Sequence, residues 1–374
     1  MSALKAPFPW MGGKSSVAEI VWQRFGDVRN YCEPFFGSGA MLLSRPKPIG
    51  TETVNDVNGW LCNFWRALQA DPEGVARYAD WPVSELDLHA RGDWLFYRPG
   101  VEEWIEKMRA DPEFYDVKSA GWWVWGCCCW IGTGWGPMMR AQAKDRQLPH
   151  LGDAGMGVNR QLPHLGDAGR GVNRSRPHLG NAGMGVNRKR PHLGNAGMGV
   201  NRKRPHLGNA GKGVNRQLPH LGDAGMGEPQ TSKGQALLAY LQQLAERLRG
   251  VRVCCGDWSR ICGPTPTVKQ GITAMFLDPP YGVEDRDDCY DSHEDYEVSA
   301  KVREWALQWQ DDPRMRIALC GYEGEHDMPA SWECMHWKAR GGFGSQSKKG
   351  NDNCKRERIW FSPHCLKELS LFSG

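Results

Sequence analysis

The tetrapeptide Pro-His-Leu-Gly recurs six times at a strict spacing of 14 residues, with its proline at 149, 163, 177, 191, 205 and 219. A full unit runs from Arg160 to Asn173 and contains Pro163, Gly166, Gly169 and Gly171. Proline removes a backbone donor and glycine loses the most backbone entropy on ordering, so this pattern favours neither a helix nor a ladder strand. Each unit offers only Leu and Val as reliable apolar anchors. The array therefore either stacks as turns with like side chains in register or forms a basic tether; partial order is the expectation. Any sheet or helical layer has to be assembled from the two flanks.

Charge is concentrated in the same place. The chain of 374 residues has a net charge of +4, yet residues 146–228 hold 13 Lys and Arg against 4 Asp and Glu, a net +9. The remainder, 34 against 39, is −5. A local excess of this size attracts polyanions through counterion release, with nucleic acid the default partner. Thirteen cysteines, odd in number and partly in runs (Cys127 to Cys129, Cys254 and Cys255), make an ordered disulfide framework unfavourable and point to a reducing, cytoplasmic setting. No Cys-x-x-Cys pair occurs, and no metal site is expected. Met1 to Trp10 has no apolar signal core. Ser119 to Met139 is uncharged and long enough to span a bilayer. Its Gly, Trp, Cys and Pro content instead suits a packed helix running into a Gly-rich loop, so no membrane association is expected.

Three motifs lie in the flanks. Met275, Phe276 and Leu277 end in Asp278, Pro279, Pro280 and Tyr281: a carboxylate, two rigid prolines and an aromatic ring after an apolar strand. Such a strand end presents a fixed acceptor edge suited to a planar group bearing an amine, such as adenine; the plainer reading is a buried strand end with a proline turn. Phe8 to Lys14 contains Trp10, Met11, Gly12 and Gly13, and Tyr31 to Ala40 contains Glu33, Pro34, Phe35, Gly37, Ser38 and Gly39. Leu42 stands where a dinucleotide fingerprint needs its third glycine, which argues against a nicotinamide cofactor.

Together these motifs resemble the Dam-type DNA N6-adenine methyltransferases, over roughly residues 5–70 and 250–362, but with an unusual repeat insertion. The resemblance implies a Rossmann-like α/β sheet with helices on both faces. Periodicity is compatible with that fold. Val54 to Asn58 reads as a strand end, and Trp60, Leu61, Phe64, Trp65 and Leu68 share a helical face. Lys233 to Arg249 reads as a helix stopped by Gly250. Val251 to Cys255, Thr273 to Leu277 and Arg316 to Cys320 read as strands, with a helix near Val298 to Gln310. Glu357 to Phe361 resembles the family's late edge strand. The expected organisation is a catalytic domain of residues 1–70 and 250–374. Residues 71–249 form an inserted target-recognition region containing the array at about 146–228.

The resemblance also implies roles. Asp278, Pro279, Pro280 and Tyr281 would be catalytic: Asp278 and the Pro279 carbonyl accept from the adenine amine while Tyr281 stacks on the base, flipped from the duplex. S-adenosylmethionine would be held by Trp10, Gly12, Lys14, Glu33, Phe35, Gly37, Gly39, Asp56, Asp257, Trp258 and Asp278. Asp56 stands about twenty residues past the Gly loop, where an acid commonly reaches a ribose hydroxyl; alternatively it caps the helix starting near Gly59. Lys14 is otherwise a solvated surface lysine, and Trp258 otherwise a core residue. The acidic run Glu284 to Asp291 lacks a calcium-loop glycine and reads as solvated loop; Cys127 to Cys129 read as packing. The repeat histidines suit stacking better than metal. Arg140, Arg174, Arg176, Arg188, Lys189, Arg190, Arg202, Lys203 and Arg204 suit phosphate contacts, since identical units at fixed pitch meet different bases. Gly341 to Lys355 reads as a loop near DNA.

The expected function is methyl transfer to adenine N6 at a short site in double-stranded DNA, by a monomer or homodimer. The alternatives are an N4-cytosine methyltransferase and a catalytically silent nucleic-acid-binding repeat scaffold.

Overall fold

A computed structural model describes residues 4–10, 12–130, 135–136, 233–281, 292–337 and 356–367. The array, residues 282–291 and residues 338–355 lie outside the described residues, and with them the acidic run and the Gly341 to Lys355 loop.

Five strands are parallel: β1 (Asn30–Glu33), β2 (Thr51–Asp56), β3 (Arg252–Cys255), β4 (Thr273–Leu277) and β5 (Met315–Tyr322). With β6 (Glu333–His336) and β7 (Glu357–Phe361) they form a seven-stranded sheet in the order β3-β2-β1-β4-β5-β7-β6. The fully buried run of β4 follows from its position, with a parallel neighbour on each side. Glu357 to Phe361 does form a strand, but it is not at the edge. It pairs antiparallel with both β5 and β6. β6 escaped the sequence reading because three of its four residues are exposed, so it shows no apolar alternation.

Helices α1 (Ala18–Phe25), α2 (Ala40–Leu43), α3 (Gly59–Ala70), α4 (Pro72–Ala79), α6 (Val101–Ala110), α8 (Lys233–Leu248) and α9 (Ser292–Trp309) lie in the unit that carries the sheet. Alternation along β5 shows how they are layered. Met315, Ile317 and Leu319 join a core with Val302 and Ala306 of α9, whereas Arg316, between the first two, donates to the Phe25 carbonyl of α1. Successive strand side chains point to opposite faces, so α1 and α9 cover opposite faces of the sheet. α3 begins where it does because the Asn58 side chain accepts from Trp60 N at 3.0 Å and Leu61 N at 3.1 Å. Behind it, Phe8, Phe64, Trp65 and Trp123 pack with centroids 5.0 to 6.0 Å apart. Buried Glu52 of β2 takes Arg45 at 3.0 Å and Arg247 of α8 at 2.7 Å, tying the helix following the array to the strand preceding it.

Most of α7 (Val117–Cys129) also belongs to this unit. A second unit contains α5 (Glu85–Tyr97) and, among the described residues, 128–130 and 135–136. Its aromatic contacts include Phe96 with Trp135 at 5.4 Å, Trp130 with Trp135 at 5.9 Å, and His89 with Trp130 at 6.1 Å. Among the described residues no helix is long and apolar enough to cross a membrane.

Candidate active site

The chain leaves β1 for β2 on one side, and returns later to β4 on the other, so β1 and β4 are neighbours at a topological switch point. Crevices form beyond the carboxyl ends of strands at such points. Glu33 ends β1, Asp56 ends β2 and Asp278 directly follows β4.

On the β1 side, Asn55 ties three strand ends together: its amide donates to Pro34 O at 3.2 Å and Gly256 O at 2.9 Å. The Gly loop then folds over. Gly37 has φ +49° and its N–H donates to Asp56 at 3.0 Å. A Cβ there would lie 2.8 Å from the Trp10 indole nitrogen, so glycine is what lets Trp10 lie against the loop. Trp65 donates to the Gly37 carbonyl at 3.2 Å. Gly39 begins α2 with φ +71°, against Phe36 and Trp65. The other oxygen of Asp56 accepts from Asn58 N at 2.9 Å. Asp56 thus braces the loop, while Asn58 caps α3. Burial raises the pKa of Asp56 to about 6, against the lowering effect of the Asn58 and Gly37 N–H groups. Glu33 is buried and accepts from the Tyr31 hydroxyl at 2.8 Å; its pKa is also raised, chiefly by burial.

Phe35 and half-buried Trp258 face each other at 6.3 Å with ring planes 25° apart. Exposed Asp257 accepts from Ser259 N at 2.9 Å and starts a short 3₁₀ turn. Trp258 also packs against the core between the sheet and α9.

On the β4 side, Lys14 is only 4% exposed, which excludes a solvated surface lysine. Its ammonium donates to Asp278 Oδ2 at 2.7 Å and to the Gly12 carbonyl at 2.9 Å. It also lies 5.4 Å from the Tyr281 ring centroid and 5.8 Å from that of Trp337. Burial is the largest single effect and lowers its pKa, but the charge and hydrogen bond of Asp278, together with the other acidic groups nearby, outweigh it and the net direction is upward. The Tyr281 hydroxyl lies 3.0 Å from Asp278 Oδ1 and 2.9 Å from Glu357 Oε2. Tyr281 itself is only 7% exposed, edge-on to Tyr322 at 4.6 Å. The ring lies beside Lys14 and Tyr322, and its hydroxyl braces Asp278. Pro279 is buried, and the Asp278 side chain remains 20% exposed.

The fold therefore brings Lys14, Asp278 and Tyr281 into one hydrogen-bonded cluster, and Trp10, Gly37 and Asp56 into another. Phe35 and Trp258 form a third group, with Asp257 beside it. Arg140, Arg174, Arg176, Arg188, Lys189, Arg190, Arg202, Lys203 and Arg204 lie outside the described residues. Sequence reasoning missed Asn55, Trp337 and Glu357. Only Asn55 had a local signal, standing beside Asp56 at a strand end; Glu357 opened a predicted strand with nothing to mark its partner.

Residues 10–117 match the model of a family described as D12 class N6 adenine-specific DNA methyltransferase. Over 86 residues, 23% of this chain and 30% of the relative, the chain is 30% identical to DNA adenine methylases from two strains of Vibrio cholerae serotype O1. It is 32% identical over 72 residues, 19% of this chain and 9% of the relative, to the DNA N-6-adenine-methyltransferase of Escherichia phage P1. The matches thus span about a third of the Vibrio proteins and about a tenth of the phage protein. The family match includes Trp10, Lys14, Glu33, the Gly loop and Asp56, and ends well before Asp278.

Proposed function

We propose that this chain, whose residues 10–117 match the model of the D12 adenine-methyltransferase family, transfers a methyl group from S-adenosylmethionine to the N6 amine of adenine in double-stranded DNA. The observation that carries this reading is the Asp278 carboxylate. It sits at the switch point, held by Lys14 and Tyr281 and still 20% exposed. An ionised carboxylate has about four lone-pair sites. The two contacts leave acceptor capacity for an incoming amine.

The residues present suit the donor molecule. Asp56 offers a carboxylate to hydroxyl groups, Phe35 and Trp258 offer aromatic surface to a flat base, and Gly37 and Gly39 leave the loop backbone bare. Trp10, Gly12, Glu33 and Asp257 complete the proposed set. When bound, S-adenosylmethionine supplies an electrophilic methyl group on a sulfonium.

The amine of adenine is a poor nucleophile because its lone pair is delocalised into the ring. Asp278 accepts one of its N–H bonds, which favours a tetrahedral nitrogen and stabilises the positive charge that develops there as the new N–C bond forms. The S–C bond of the sulfonium would break as the N–C bond forms, leaving a neutral thioether, and the nitrogen would give its proton to solvent, leaving N6-methyladenine. Lys14 and Tyr281 hold the carboxylate's direction throughout. For the amine to reach a site at the end of a sheet the base must leave the duplex. The inserted region, including the basic array, is assigned to holding that duplex mainly through phosphate contacts.

The test is methylation of duplex DNA followed by chromatography of the nucleosides. Wild type should yield N6-methyladenine, and Asp278→Ala should yield none while still binding DNA. N4-methylcytosine as the product, or substantial turnover by Asp278→Ala, refutes this assignment.

A further inference from the structure

The Tyr281 hydroxyl lies within hydrogen-bond distance of two carboxyl groups, 3.0 Å from Asp278 and 2.9 Å from Glu357. A phenol has one proton. If both acids were ionised, one of these contacts would press an oxygen lone pair against a carboxylate with no proton between them. Lys14, the cation of the cluster among the described residues, makes its ion pair with Asp278. Glu357 is 7% exposed at the first position of β7, opposite Tyr322 of β5.

We infer that Glu357 is a positioning residue carrying the missing proton, so that its carboxyl donates to the Tyr281 oxygen and the Tyr281 hydroxyl donates to Asp278 Oδ1. Glu357 lies outside every site residue named from sequence. Its assignment to catalysis rests on the methyltransferase reading above.

The surroundings agree. Among the described residues, the groups acting on Glu357 include Lys14 from the N-terminal segment, Asp278 and Tyr281 from beyond β4, and Glu325 from beyond β5, and the buried Cys320 thiol of β5 also feels its charge. Burial raises its pKa; Lys14 and the hydrogen bond to Tyr281 oppose this, Asp278 and Glu325 reinforce it, and the net direction is upward. A neutral Glu357 leaves one ammonium and one carboxylate, Lys14 and Asp278, as a balanced pair. An ionised Glu357 would add a second, poorly solvated negative charge. It would also compete for the Tyr281 proton and release Asp278 Oδ1 from its donor.

Glu357→Gln keeps a donor toward Tyr281 but cannot ionise. Glu357→Ala removes the donor. Misdirecting Asp278 should lower kcat by about 10- to 100-fold in Glu357→Ala with little change in KM for DNA. Glu357→Gln should recover most of that loss and should lack the fall in kcat that wild type shows as Glu357 ionises at rising pH. An independent readout needs no turnover. Wild type minus Glu357→Gln infrared difference spectra at neutral pH should show the carbonyl stretch of a protonated carboxylic acid. Absence of that band, or Glu357→Gln as impaired as Glu357→Ala, overturns the inference. A wild type that methylates no DNA refutes the functional reading instead, and leaves the infrared result to decide the proton.

Discussion

Replacing Gly37 by alanine tests whether Trp10 is packed onto the Gly loop as the structure shows. The residue has φ +49°, a conformation that costs an L side chain about 1–2 kcal/mol. The added methyl would also lie 2.8 Å and 2.9 Å from two atoms of the Trp10 ring, close enough that the ring has to move. That ring makes aromatic contacts with Phe8 at 5.8 Å and Trp123 at 6.0 Å. Losing both would cost a further ~1–3 kcal/mol, at roughly 0.5–1.5 per pair. Gly37→Ala should therefore destabilise the fold by about 2–5 kcal/mol. Gly250→Ala is the control. Its φ is +82°, and a Cβ there meets nothing within 4 Å, so only the backbone cost of about 1–2 kcal/mol applies. The reduced entropy of the unfolded chain affects both variants alike and cancels in the comparison. Urea unfolding with unchanged m-values measures the difference, and calorimetry with S-adenosylmethionine should show Gly37→Ala as the weaker binder. If the two variants unfold at the same midpoint, Trp10 is not held against the loop and its place in the pocket is wrong.

Asp56 should impose a pH dependence on stability. Its pKa is raised from 3.8 to about 6 on folding, so the native state binds this proton more tightly. The stability it adds is fully present below pH 3.8 and is lost as pH rises through about 6. Relative to Asp56→Asn, wild type should lose roughly 3 kcal/mol across that window in urea titrations, at about 1.4 kcal/mol per unit; parallel curves would refute the shift. Deleting two repeat units, residues 177–204, removes six Lys and Arg and no acid. If all six neutralise phosphates, the slope of log K against log salt should flatten by about 5 without altering the methylated sequence. A changed sequence would mean that the array reads bases.

Much of the architecture was legible because its signals are local. Thr273 to Leu277 and Glu357 to Phe361 coincide with observed strands, and the spacing of leucines from Leu237 to Leu248 gave the α8 helix. β6 was not legible, since an exposed strand of four residues has no burial pattern of its own. Nor was the interior position of β7, because strand pairing is a property of two segments rather than one. In the candidate site, the identities of Lys14, the Gly loop, Asp56 and Asp278 were available in advance. The buried ring of Tyr281 was not, and neither was Glu357.

What the sequence determined by itself, then, is which chemical groups stand at strand ends and in glycine turns. Those depend on a few consecutive residues and their backbone preferences. Tertiary structure decided which of them meet. Lys14 and Asp278 are 264 positions apart and become an ion pair because the sheet reverses its order between β1 and β4. Glu357 reaches Tyr281 because β7 inserts antiparallel beside β5. Burial in that setting, which no local pattern reports, is what changes the proton balance of the cluster.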